Sequence, residues 1–229
     1  MKRKKKYIIG IDEVGRGCLA GPIVVAALAL PLKSNIKNQI SKIQIKNQNL
    51  PTLKDSKKLS TKQRGVWFKY IKNHPDIFYA KASVSPKVID RINISQAANL
   101  AAARAFNKLV KENLASINGR KVFLDGGLYI SKSITNSLQL TTKNSCLRRG
   151  FGGQVKLKTI VRGDEKIPAI MLASIVAKVS RDRKMKKLHL EYPHYDFINN
   201  VGYGTKKHRR AIKKHGLSPI HRKSFRIKT

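Results

Sequence analysis

The sequence predicts an α/β fold: a mixed central sheet flanked by helices, with a helical C-terminal end. Three observations carry this. Two apolar runs near the N-terminus, Tyr7-Ile8-Ile9 and Ile23 to Leu30, are joined by a short Gly/Pro-rich stretch, which suggests an antiparallel pair. Two later strand-like segments, Lys121-Val122-Phe123-Leu124 and Val155 to Val161, alternate with long segments of helical periodicity. The chain has 229 residues and is 41% hydrophobic, enough to bury one substantial core. No repeat and no clear linker divides it. We therefore expect one domain over 1–229, with a core of about 7–190 and an extension of about 191–229.

The elements follow in order. Residues 7–13 read as a buried strand, 14–22 as a turn and 23–30 as its antiparallel partner. Residues 33–54 are rich in Lys, Asn and Gln and carry little core potential. Ser60 is a candidate cap for a helix reaching about residue 73, with Val66, Trp67, Tyr70 and Ile71 at helical spacing. Ile77 to Val84 alternates as a strand does, and 95–115 is a long helix with Leu100, Ala103, Phe106 and Val110 on one face. A short strand ends at Asp125. Residues 130–153 are polar and glycine-containing, as in a loop or hairpin insertion. A strand over 155–161 runs into Arg162-Gly163-Asp164, and 167–188 is an Ala/Ile/Val/Lys helix. From Tyr192 onward, a Gly-Tyr-Gly-Thr turn leads to a basic helix around 205–215.

Charge narrows the partners. Lys and Arg number 49 against 12 Asp and Glu, for a formal net charge of +37. Part of this is drift, since Lys, Ile and Asn are frequent everywhere in the chain. The remainder favours a polyanion, and nucleic acid is the default, through long-range steering and counterion release. Cys18 and Cys146 form no CxxC pair and no histidine-rich ligand pattern, which argues against a zinc site or a disulfide framework and fits a reducing cytoplasm. The basic start Met1 to Lys6 is followed by no long apolar segment, so neither a signal peptide nor a membrane span is expected.

Against that basic background, the placing of the acids is informative. Asp12 and Glu13 close the first apolar run and lead straight into Val14-Gly15-Arg16-Gly17. Asp125 and Asp164 likewise sit at or just beyond strand ends, where ligands collect in α/β sheets. One aspartate at a strand end is as readily a turn former or helix cap. Several together in an acid-poor chain repel one another unless a cation joins them, and hard oxygen ligands suit Mg²⁺ or Mn²⁺. Such ions can activate water and stabilise both oxygens of a displaced phosphodiester. Asp182 is the rival fourth acid. It lies well inside a helix between Arg181 and Arg183, which suits a salt-bridging role. Gly15 and Gly17 allow close backbone approach to a ligand, and Arg16 has the fork that grips phosphate. Tyr203 stands before Lys206-Lys207-His208-Arg209-Arg210, a setting for stacking on a sugar or base. His208, His215 and His221 match no ligand spacing and read as members of a basic surface.

Several blocks together resemble a family. Gly10-Ile11-Asp12-Glu13-Val14-Gly15-Arg16-Gly17 with Leu19-Ala20-Gly21-Pro22 looks like the first signature of ribonuclease HII. Asp55-Ser56-Lys57-Lys58-Leu59-Ser60, Asp90-Arg91-Ile92-Asn93-Ile94 with Gln96-Ala97, Leu124-Asp125-Gly126, Gly163-Asp164 with Ala173 to Asp182, and Gly202-Tyr203-Gly204-Thr205 are similar to later blocks, in family order, to about residue 225. The resemblance implies a ribonuclease H-like fold with a helical C-terminal extension. It implies an endoribonuclease that hydrolyses the RNA strand of RNA–DNA hybrids and cuts 5′ to ribonucleotides embedded in duplex DNA. A water activated by a divalent metal would leave 5′-phosphate and 3′-hydroxyl ends. The implied metal-binding catalytic set is Asp12, Glu13, Asp125 and Asp164, with Mn²⁺ or Mg²⁺. Gly15, Arg16 and Gly17 would read the ribose 2′-hydroxyl, Tyr203 would stack on the neighbouring deoxyribose, and Lys57 and Lys58 would touch phosphates. A monomer is the implied state. The related ribonuclease HIII carries an extra N-terminal domain, whereas only about six residues precede the first strand here.

Three features depart from the family pattern. Cys18 stands where proline is usual, the 33–54 loop is long, and so is the stretch between Asp125 and Asp164, whose Arg148, Arg149 and Lys156 could add substrate contacts. Two other readings of the residues differ in class. One is a basic nucleic-acid-binding protein without catalysis, against which the intact acid set argues. The other is a resolvase- or integrase-like nuclease, against which the glycine-arginine-glycine and Gly-Tyr-Gly-Thr blocks argue.

Overall fold

The computed structural model describes residues 6–32, 50–113, 118–130 and 156–226. Five strands, β1 (Lys6–Val14), β2 (Ile23–Pro31), β3 (Phe78–Val84), β4 (Asn118–Asp125) and β5 (Lys156–Ile160), form one sheet in the order β3-β2-β1-β4-β5. The pairs β1/β2 and β2/β3 are antiparallel, whereas β1/β4 and β4/β5 are parallel. The sheet is therefore mixed, as expected. Ile11 pairs with Leu124, so the next residue on each strand is a carboxylate, Asp12 and Asp125. Parallel register thus brings two acids to adjacent strand ends.

The helices are α1 (Thr61–Asn73), α2 (Pro86–Ile92), α3 (Ile94–Glu112), a single turn α4 (Gly163–Lys166), α5 (Pro168–Glu191), a short α6 (Phe197–Asn200) and α7 (Lys206–His215). Alternation along β1 sorts them onto two faces. Tyr7, Ile9 and Ile11 pack with Ala97, Ala98, Ala101, Ala105 and Phe106 of α3. Ile8 and Val14 pack with Trp67, Phe68 and Ile71 of α1 and with Ala173, Val176 and Ala177 of α5. Every residue of β2 is buried, which explains its unbroken apolar run. Gly10 permits the closest helix contact: a Cβ there would lie 2.1 Å from the backbone carbon of Ala169. A third cluster joins Leu19 and Ala20 after β1 to Met185, Tyr195, Phe197 and Ile212, tying the C-terminal extension to the sheet.

Asp164 lies just beyond β5, inside α4, in keeping with its expected place at or just beyond a strand end. The expected elements form, with two differences. The short helix α2 is not expected, because seven residues show too little periodicity to distinguish them from a loop. The end of the 33–54 stretch also contributes to the core: Leu50 and Leu53 pack against the α1 face, and the Trp67 indole N–H donates to the Pro51 carbonyl at 3.1 Å. Isolated leucines in a polar run carry no period to reveal this. The rest of that loop, 33–49, and the bulk of the expected insertion, including Cys146, Arg148 and Arg149, lie outside the described residues.

Candidate active site

Three of the four expected acids converge. One carboxylate oxygen from each of Asp12, Glu13 and Asp125 lies within 4.8 Å of the others, at the shared end of β1 and β4. Backbone amides orient two of them: Glu13 N–H donates to Asp12 Oδ1 at 2.8 Å, and Gly163 N–H donates to Asp125 Oδ1 at 2.7 Å. Ser174 of α5 donates to the Asp12 carboxylate and is itself 2.7 Å from the Ser56 hydroxyl, so Ser56 donates in turn to Ser174. Burial raises the Asp12 carboxyl well above its ordinary range, and the neighbouring charges of Glu13, Asp125 and Asp164 push the same way. Burial also raises Glu13, against the opposing pull of Arg16. Glu13 Oε2 is buried and has no hydrogen-bond partner among the described residues. A buried, unpaired oxygen on a carboxylate that meets two further carboxylates is costly as it stands, and the group suits a hard divalent cation.

Asp164 belongs to the same neighbourhood but not to the tight cluster. It is buried, and its Oδ2 accepts from Lys57 Nζ at 3.1 Å. That bond is the main reason the Lys57 ammonium lies above its ordinary range. Lys57 is itself presented by Asp55, whose Oδ1 accepts the Lys57 N–H at 2.9 Å in the turn before α1. The lysine expected to touch phosphate therefore holds an acid here, while Lys58 is exposed. Arg16 behaves similarly. Its Nε donates to Glu13 Oε1 at 3.0 Å and its Nη2 to the Gly127 carbonyl at 3.1 Å, so its fork is not directed at a phosphate in this structure. Lys178 of α5, near Asp55 and Asp12, is brought down to about 8, first by burial. Asp182 is in a salt bridge, as expected, but its partner is Arg64 of α1 at 3.6 Å and not a neighbouring arginine.

The glycines of the turn have different physical roles. Gly15 has φ +92, and a Cβ there would lie 2.3 Å from Arg181 Nε. Gly17 has no positive φ, and a Cβ would meet nothing within 4 Å. Among the described residues nothing requires glycine at Gly17, which is exposed, so the open space there faces outward. Tyr203 lies on the flank of the turn, 44% exposed, with its hydroxyl donating to the buried Cys18. Cys18, unusual by sequence, thus anchors the tyrosine.

Sequence reasoning missed the supports of this turn. Arg181 is fully buried. It donates to the carbonyls of Pro22 at 3.0 Å, Val201 at 2.6 Å and Ala20 at 3.1 Å. Val201 has φ 42, an expensive conformation for a β-branched residue. Arg222 is also fully buried and reaches the same turn. His208 and His221, expected on a basic surface, are buried side by side among Tyr195 and Phe197, whereas His215 is exposed. Their setting was invisible because no periodic apolar pattern surrounds them in sequence. The signal that could have found them was the run His221-Arg222-Lys223-Ser224-Phe225, a hydrophobic residue close behind two cations near the end of the chain.

A mixed five-stranded sheet of this order, with carboxylates gathered on adjoining parallel strand ends and helices on both faces, defines the ribonuclease H-like class of metal-dependent nucleases. The comparisons with known proteins agree. The family model Ribonuclease HII matches residues 9–228. The Ribonuclease HII of Endomicrobium trichonymphae is 40% identical over 219 residues, covering 95% of this chain and 84% of that one. Among solved structures, the ribonuclease H2 from Pyrococcus horikoshii superposes with a TM-score of 0.66 at 24% identity, covering 96% of this chain and 94% of that one. Bst-RNase HIII in complex with Mn²⁺ superposes with a TM-score of 0.62 at 20% identity, covering 98% of this chain and 68% of that one. The chain belongs to the ribonuclease HII family. It is a metal-dependent endoribonuclease acting on RNA–DNA hybrids. Among the described residues, no helix is long and apolar enough to cross a membrane.

Proposed function

We propose that this protein cuts 5′ to a ribonucleotide embedded in duplex DNA, leaving 5′-phosphate and 3′-hydroxyl ends, and that Asp12, Glu13, Asp125 and Asp164 hold the divalent ions. The observation that carries the reading is the convergence of the Asp12, Glu13 and Asp125 carboxylates, one of which keeps a buried oxygen, Glu13 Oε2, without a partner among the described residues. When bound, Mg²⁺ or Mn²⁺ supplies Lewis-acid activation of water and neutralises charge on the phosphodiester. The protein's own groups do the rest. Asp125 stays aimed through the Gly163 N–H, and Asp12 through Ser174 and Ser56. Lys57 and Arg16 balance the charges of Asp164 and Glu13, the carboxylates that would hold the ions, and with those charges met by bound cations both would be free to reach backbone phosphate. Gly15, Arg16 and Gly17 read the 2′-hydroxyl, the one group that distinguishes ribose from deoxyribose. The open space at Gly17 supports that role. Tyr203 offers its exposed ring to the adjoining deoxyribose. The same proposal takes 1–229 as one catalytic domain, acting as a monomer in the cytoplasm.

The test is cleavage of a labelled DNA duplex carrying one ribonucleotide, with Mn²⁺, Mg²⁺ or EDTA, beside an all-DNA duplex. We expect a metal-dependent cut on the 5′ side of the ribonucleotide and none in all-DNA. Asp125→Asn keeps the side-chain shape and removes the charge. It should lower turnover on the order of 10³-fold or more while leaving duplex binding intact. Near-wild-type turnover in that variant would rule out the assigned acid set. Salt-sensitive binding to both duplexes without cleavage would return the non-catalytic reading.

A further inference from the structure

We propose that His221 and Arg222, adjacent residues of the C-terminal segment, are positioning residues for ribose recognition: Arg222 sets the direction of the glycine-turn amides, and His221 sets the Tyr203 loop. The inference rests on the reading of Gly15–Gly17 and Tyr203 given above, and adds what holds them.

Among the described residues no acid forms a salt bridge with Arg222, although the charge of Asp90 acts on it from nearby. Its guanidinium donates to Gly15 O at 2.7 Å, to Arg16 O at 2.9 Å and to Gly21 O at 2.9 and 3.1 Å. One planar fork thus gathers three carbonyls of a single turn. A trans peptide directs its C=O and N–H to opposite sides. With the carbonyls of Gly15 and Arg16 drawn in to Arg222, the amide N–H groups of Arg16 and Gly17 face the other way, to the side where Gly17 leaves space. Arg222 is itself fixed. Its N–H donates to Leu19 O at 2.8 Å, Gly21 N–H donates to Ile220 O at 2.9 Å, and Ala20 bridges His221. Asp90 of α2 accepts from the N–H groups of Lys223 and Ser224, both at 3.0 Å. The Phe225 ring lies 5.0 Å from the guanidinium carbon.

His221 holds the other arm through a chain of hydrogen bonds with one consistent direction. Ser218 N–H points at His221 Nδ1 at 2.9 Å, so that nitrogen accepts. His221 then carries its proton on Nε2 and donates to His208 Nε2 at 3.0 Å. His208 in turn carries its proton on Nδ1 and donates to Tyr203 O at 2.9 Å. Both rings are neutral in this arrangement, and a second proton on either would set donor against donor. Burial lowers both histidines from their ordinary value, in keeping with the geometry. Around the pair stand Tyr195, Phe197 and Ser218, with Cys18 and Arg222 on the turn side and the exposed His215 and His194 stacked beyond Tyr195. None of these is an acid that would favour a charged imidazole.

The test uses the full chain and four variants. Arg222→Lys keeps the charge and loses the fork, and Arg222→Met removes both. His221→Phe keeps the ring and breaks the chain, while His221→Gln can still accept from Ser218 and donate to His208. We measure kcat and KM on the single-ribonucleotide duplex, the Kd for an all-DNA duplex at fixed salt, and the Tm. Displacing a recognition element by a fraction of an ångström costs about tenfold or more in kcat/KM. That loss is expected for Arg222→Lys, Arg222→Met and His221→Phe, with all-DNA affinity unchanged and with recovery in His221→Gln. Wild-type kcat/KM in folded Arg222→Lys, or an equal loss of affinity for both duplexes, would overturn the proposal. If the Arg222 variants do not fold, the His221→Phe and His221→Gln pair decides it on the same terms. A wild-type protein that leaves the ribonucleotide duplex uncut defeats the underlying functional reading instead, and is recognised before any variant is compared.

Discussion

Glycines in this chain do unlike jobs that the letter alone does not distinguish. Gly10 is a packing glycine, since any side chain would enter the backbone at Ala169. Gly15 is conformational, with φ +92. Gly17 is neither. Gly17→Ala should therefore fold with a Tm within about 2 °C of wild type, because surface changes away from special backbone sites stay within roughly 0.5 kcal/mol. It should nevertheless raise KM for a single-ribonucleotide duplex, with all-DNA affinity unaffected. Thermal melts and steady-state kinetics check both halves. The buried histidines yield a second expectation. His221 lies about 1% exposed and is lowered from 6.5 to about 4, first by burial and then by His208. Between those values the unfolded chain binds more protons than the folded one. The stability tied to neutral His221 is thus whole above pH 6.5 and is lost as pH falls toward 4. The ceiling of that loss is about 3 kcal/mol, from 1.36 kcal/mol per unit. Urea titrations at pH 7 and pH 4.5 should reveal it, and the difference should shrink in His221→Phe.

At the level of elements, the helix starts were the most legible. Ser60 accepts from Gln63 N–H at 3.2 Å while the Gln63 side chain accepts from Ser60 N–H at 2.9 Å, a full capping box at the head of α1. Ser60→Ala should cost about 1 kcal/mol by denaturant melting. Because the turn bearing Asp55, Ser56 and Lys57 leads directly into that helix, we also expect a modest rise in the metal concentration needed for half-maximal cleavage. The strands β1, β2 and β4 could be read from apolar runs because the middle of the sheet is covered on both faces, whereas the edge strand β5, Lys156-Leu157-Lys158-Thr159-Ile160, alternates and is partly exposed. Helix α2 and the packing of Leu50 and Leu53 could not, since short segments gain their structure from tertiary contact and not from their own period. Asp164 lies just beyond a strand end, as its spacing suggests, but the one-turn helix that holds it was not legible. Whether an acid ends a strand or begins a one-turn helix depends on how Gly163 meets Asp125 across the sheet.

For the whole molecule, charge governs encounter and geometry governs choice. With a net charge of +37, affinity for any duplex should fall steeply with salt, on the order of 100-fold from 50 to 200 mM KCl. The preference for ribonucleotide-containing over all-DNA duplex should stay within about twofold over the same range, since phosphate contacts are shared by both substrates. Anisotropy titrations with both duplexes test this, and a selectivity that collapses with salt would mean that charge and not the turn does the choosing. The sequence by itself determined the α/β class, the order of its main elements and the likeness to one family, and it singled out the four acids and the glycine turn as candidates. Those are local or order-dependent properties: apolar runs, capping residues, and rare acids in a basic chain. Only the tertiary structure decided which charges meet. Arg16 holds Glu13, Lys57 holds Asp164, Arg64 holds Asp182, and Arg222, more than two hundred residues away in the chain, draws in the carbonyls of Gly15 and Arg16. Such pairings depend on strand register and on where the C-terminal segment docks, and no spacing along the chain encodes either.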